Sequence, residues 1–148
     1  MRRNLINGMR GLIFAMVLAL AGCSSGGDSS SPPAAPPSVD ATGTWKGTYN
    51  SSVFGTKTAT LSVVQLGAAC TGTYSNSAGG LGSVSGTVSG ATYTFTIYVT
   101  TPGCSGSFAG TGTINATVTP NTMAFTYSGA ANASCGGSES GTGNLIKQ

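Results

Sequence analysis

Thr92-Tyr93-Thr94-Phe95-Thr96-Ile97-Tyr98-Val99 is the stretch that decides the fold. Tyr93, Phe95, Ile97 and Val99 alternate with Thr94, Thr96 and Tyr98, and a period of two puts the first set on one face of a β-strand. One apolar face and one polar face describe a strand in an antiparallel sheet that covers a core on one side. The same alternation recurs in Ala59/Leu61/Val63 around Thr60 and Ser62, and in Met123/Phe125/Tyr127. No window carries apolar residues at i, i+3, i+4 and i+7, so residues 41–148 are expected to be all-β.

Turn-forming clusters cut this region into about eight strands, expected near 43–50, 57–66, 70–76, 83–89, 92–100, 105–118, 122–129 and 139–147. Short connections make sequential neighbours pair antiparallel. Closing such a Thr-rich sheet into a small up-and-down β-barrel removes its exposed edges. A β-sandwich fits the same alternation. The aromatic residues, in a chain poor in Leu and Ile, are expected to form the core. Repeated Gly-Thr pairs fall at irregular spacing and indicate recurring hairpins, not a solenoid.

Upstream, the composition changes. Arg2, Arg3 and Arg10 precede an apolar run over 12–20, too short for a permanent membrane span, and Leu20-Ala21-Gly22-Cys23 follows. This order resembles a bacterial lipoprotein signal peptide with its lipobox. The resemblance implies cleavage after residue 22 and lipidation of Cys23, by a diacylglycerol thioether and an amide-linked acyl chain such as palmitate. Ser24, where the family's inner-membrane proteins tend to carry Asp, implies the outer membrane. Two or three acyl chains anchor a protein stably where one does not. Residues 24–39 are Ser, Gly, Pro and Ala with little to bury, and residues 23–40 are therefore expected to be a disordered tether. The domains are thus a signal peptide (1–22), the lipidated cysteine and tether (23–40) and the β-domain (41–148).

Charge and chemistry narrow the function. The formal charge of +3 comes from the three arginines of the signal, because Lys46, Lys57 and Lys147 offset Asp28, Asp40 and Glu139. A nearly neutral mature chain has no basic face for nucleic acid. The sequence contains no histidine, and Glu139 is the sole carboxylate within the β-domain. Paired-carboxylate glycosidase chemistry, His-based nucleophilic triads and ordinary zinc or calcium sites therefore lack their residues. The expectation is a non-enzymatic protein with no catalytic residues, no metal and no cofactor.

Three cysteines remain after Cys23. In an up-and-down barrel the connections holding Cys104 and Cys135 lie at one end and Cys70 at the other, so Cys104–Cys135 is the expected disulfide. Cys70 is expected to be a small core residue; no neighbouring basic group favours a reactive thiolate. Gly43-Thr44-Trp45 resembles the Gly-x-Trp signature that opens the first strand of calycin barrels (lipocalins, fatty-acid-binding proteins, avidins). That resemblance implies that Trp45 closes one barrel end against Lys147 of the last strand, or borders a ligand pocket. The function expected is a membrane-anchored lipoprotein presenting a small β-barrel that binds a small apolar ligand. The alternative is a surface or adhesion module acting through its Thr/Ser-rich outer face. An integral membrane barrel would need an apolar outer face and aromatic girdles.

Overall fold

The computed structural model describes residues 32–148, and Pro33–Gln148 form one compact unit. Cys23 and the expected signal peptide lie outside the described residues. Eight strands follow in order: β1 (Gly43–Ser51), β2 (Gly55–Leu66), β3 (Ala69–Asn76), β4 (Leu81–Ser89), β5 (Thr92–Val99), β6 (Gly106–Asn115), β7 (Thr122–Ala131) and β8 (Ser138–Lys147). Each pairs antiparallel with its sequence neighbour, and β8 returns to β1 from Trp45↔Lys147 to Ser51↔Gly141. The sheet is a closed up-and-down barrel, not a sandwich.

The inward faces follow the alternation. Ala59, Leu61 and Val63 of β2, Tyr93 and Phe95 of β5 and Met123 of β7 are buried. Threonine dominates the outer face, where register aligns Thr94 with Thr87 and Thr111, and Thr126 with Thr111 and Thr142. Eight strands leave an interior wide enough for a layer of side chains or for one small ligand. The chain fits large rings into it by setting each opposite glycine: Phe95 pairs with Gly110, Phe125 with Gly143, and Tyr127 with Gly141. A Cβ at Gly143 would lie 2.6 Å from the Phe125 ring, and one at Gly141 2.6 Å from the Tyr127 ring. Glycine here is the socket for a neighbour's ring.

Strand ends lie within two residues of expectation except at the end of β6. β6 ends at Asn115, short of the expected 118, because the Asn115 side chain turns the chain: its Oδ1 accepts from Thr117 N at 3.0 Å and Thr117 Oγ1 at 2.6 Å. Side-chain acceptance of this kind competes with the strand ladder. A short 3-10 turn, Ala133–Cys135, interrupts the connection between β7 and β8.

The structured chain also begins before Ala41. Ser38 N donates to Gly90 O at 2.9 Å, Gly90 N to Pro36 O at 3.1 Å, and Ser89 Oγ to Ala35 O at 2.9 Å. Residues 35–42 form a strap across the end of the barrel that holds the β2–β3, β4–β5 and β6–β7 connections. Prolines can lie there because Pro36 only accepts and Pro37 contributes no N–H to the bridge. Gln65 fixes the strap, accepting from Ala41 N at 2.8 Å and donating to Val39 O at 3.5 Å. Ala41 is fully buried beneath it.

Candidate ligand cavity

The two barrel ends are built differently, and this asymmetry creates the site. At the strapped end Trp45 is fully buried, and its Nε1 donates to Ala41 O at 2.8 Å. Lys147 Nζ sits 5.8 Å from the Trp45 ring centroid and donates to Asp40 O at 3.3 Å. Gly43, at φ +134, makes room for that lysine, since a Cβ would lie 2.8 Å from Lys147 Cε. Cys70, Val88 and Tyr93 complete the plug. Trp45 is thus buried at the strapped end with Lys147 over its ring, and neither lines the cavity.

The opposite end carries the β1–β2, β3–β4, β5–β6 and β7–β8 connections and opens into a cavity of about 320 Å³. Buried Leu61, Phe95, Met123 and Leu145 line it, and half-buried Tyr74, Phe108, Phe125 and Tyr127 continue the wall towards the mouth. The rings hold one another edge-on: Phe95–Phe125 at 6.2 Å and 66°, Tyr49–Tyr127 at 5.9 Å and 70°, Phe108–Tyr127 at 6.1 Å and 81°. Such pairs contribute beyond their buried area and fix the rings in place. The aromatics expected to be core thus divide. Trp45 and Tyr93 plug the closed end, while others form the wall of a cavity. Tyr98 stands half-exposed on the outer face.

Polar groups gather around the tyrosines. Tyr127 OH donates to Glu139 Oε1, and Asn76 Nδ2 donates to Tyr74 OH at 2.9 Å. Asn76 also shapes the β3–β4 turn, its Oδ1 accepting from Ala78 N at 2.9 Å and Gly80 N at 2.8 Å. Burial pushes the Tyr49, Tyr74 and Tyr127 hydroxyls above the ordinary tyrosine range, and for Tyr127 the hydrogen bond to Glu139 adds to the rise. These hydroxyls stay neutral donors and acceptors over the physiological range.

The rim is stapled. Cys104 and Cys135 form a disulfide with Cα atoms 5.7 Å apart, joining the β5–β6 and β7–β8 connections as expected. Asn132 reinforces it, donating from Nδ2 to Gly103 O at 3.0 Å and accepting from Ser105 N at 3.1 Å. Phe54, in the β1–β2 turn, reaches across so that a Cβ on Gly136 would lie 2.9 Å from its ring. Ser51 Oγ orders that turn by accepting from Phe54 N at 2.9 Å. Cys70 is a free, buried thiol at the closed end, and burial raises its pKa, with Asp40 adding to the rise. That is the reverse of an activated cysteine.

Glu139 and Lys57 share the inward register of their strands, Glu139 with Gly141 and Leu145, Lys57 with Ala59 and Leu61. Of the two, only Glu139 borders the cavity. Alternation alone could have placed both inside. Comparison with protein-family models, with curated proteins and with solved structures finds no match to this chain.

Proposed function

We propose that this chain is a non-enzymatic, lipid-anchored envelope protein whose barrel takes up a small, mainly apolar ligand at its open end. One observation carries the ligand-binding half: a preformed aromatic cavity of about 320 Å³, open at one end and plugged at the other. Ligand sites are concave, largely apolar and furnished with a few fixed polar groups. Here Tyr74, Tyr127 and Glu139 supply those groups. The volume lies at the low end of the range of about 300–1,000 Å³ typical of ligand pockets, so the occupant is small.

The anchoring half rests on Leu20-Ala21-Gly22-Cys23 and its basic and apolar prelude. Within the described residues the chain enters the barrel through the strap at the closed end. A polar outer face and an apolar interior are the reverse of a membrane-spanning barrel, which favours a domain held beside the bilayer. The resemblance to lipoproteins, with Ser24 after the lipidated position, supports an outer-membrane location. The absence of histidine and the single carboxylate of the barrel support binding without catalysis.

Binding is tested with N-phenyl-1-naphthylamine, a neutral aromatic reporter that brightens on leaving water. Saturable enhancement, lost when Ala131→Trp crowds the cavity, is expected. No enhancement with a folded barrel would remove the ligand-binding function and favour action through the outer face.

A further inference from the structure

Resting on that cavity reading, we infer that its ligand is a small primary amine, bound as the ammonium with its apolar body against the aromatic wall. Glu139 is the only ionisable acid or base other than tyrosine or cysteine that lines the cavity. Tyr127 OH donates to one of its oxygens and fixes the carboxylate. A carboxylate has about four acceptor positions over its two oxygens, so this bond leaves most of them open. No lysine or arginine among the described residues lines the cavity. Lys46 stands exposed on the outer face, Lys147 lies over Trp45 at the closed end, and Lys57 remains outside the lining.

A carboxylate-bearing lipid or a phosphate ester would therefore bring its anion beside Glu139 with no cation to receive it. An ammonium meets a fixed carboxylate, the hydroxyl oxygens of Tyr74 and Tyr127, and the negative faces of Phe and Tyr rings. A partly enclosed setting weakens competition from water and salt. The ring-lined remainder accommodates an alkyl chain or aromatic rings.

Three probes with the same body separate charge from shape: octylamine, octanol and octanoate, each competing with bound N-phenyl-1-naphthylamine on the full-length mature protein at neutral pH. Octylamine is expected to displace the reporter at about a tenfold lower concentration than octanol, and octanoate to be the weakest. Glu139→Gln should remove the advantage of octylamine and leave octanol unchanged, while Lys57→Gln should leave the order intact. Equal displacement by all three, or octanoate as the best competitor, overturns the amine assignment and leaves the cavity as a neutral apolar site. Failure of both the reporter and octanol to bind overturns the cavity function itself. The ranking in the unmodified protein decides the matter even where Glu139→Gln does not fold.

Discussion

A methyl group on Gly47 would collide with Asn144 O and approach Leu145 Cα at 2.9 Å, both on the backbone of the adjacent strand. Backbone cannot swing aside as a ring can, so Gly47→Ala is expected to lower stability by about 1–3 kcal/mol in urea unfolding. An unchanged midpoint would show that the barrel is less tightly coiled there. Tyr93 makes the opposite case. It is fully buried, and its hydroxyl has no hydrogen-bond partner in the plug. Tyr93→Phe removes an unsatisfied group and keeps the ring, so a gain of about 1 kcal/mol is expected in the same assay. A loss would mean that the hydroxyl is bonded after all. Tyr93, Phe95 and Met123 were legible as inward-facing because alternation assigns faces directly. Whether an inward ring ends in a plug or a cavity wall depends on which barrel end it stands nearest once the strands are in register. Period two does not encode register.

At the scale of elements, the stapled rim stands out. The Cys104–Cys135 bridge closes a loop with a sequence separation of 31. The chain-entropy relation gives a contribution of about 3–4 kcal/mol for such a loop. Cys104→Ser with Cys135→Ser should reduce stability by up to that amount, and Asn132→Ala by less, since Asn132 spans the same two connections. Thermal unfolding of the paired variants checks this; an unaltered midpoint would mean that the rim contributes no constraint. The pairing was legible because strand order alone puts both connections at one end. The strap over 35–42 was not, because its Pro and Ala composition reads as tether. Its fixation comes from Gln65 and Gly90, more than twenty residues distant. The early end of β6 depends in the same way on one asparagine side chain.

Across the whole molecule, Tyr49, Tyr74, Tyr93 and Tyr127 all have pKa values raised by burial. The unfolded chain ionises its tyrosines near pH 10, whereas the barrel holds these four neutral to higher pH. Folding therefore keeps its full tyrosine contribution below about pH 10 and loses it as the pH climbs further. Thermal midpoints should begin to fall above about pH 8.5, where the unfolded chain ionises the Cys70 thiol that burial keeps protonated, and fall further above about pH 10 with the tyrosines. A flat profile to pH 12 would mean that these groups titrate alike in both states. The proposed anchor belongs to this scale too. Cys23→Ala should release the protein from the membrane fraction and block precursor processing, and unaltered fractionation would refute the lipobox.

The most direct measurement is an amide-shift map of the mature protein, recorded by NMR while N-phenyl-1-naphthylamine is titrated in. Shifts should concentrate at Tyr49, Tyr74, Phe95, Phe125, Tyr127 and Glu139 around the cavity, and leave Trp45, Cys70 and Val88 of the plug unmoved. Shifts confined to the threonine rows at Thr94, Thr111, Thr126 and Thr142, or none at saturating reporter, would contradict a barrel that binds through its open end.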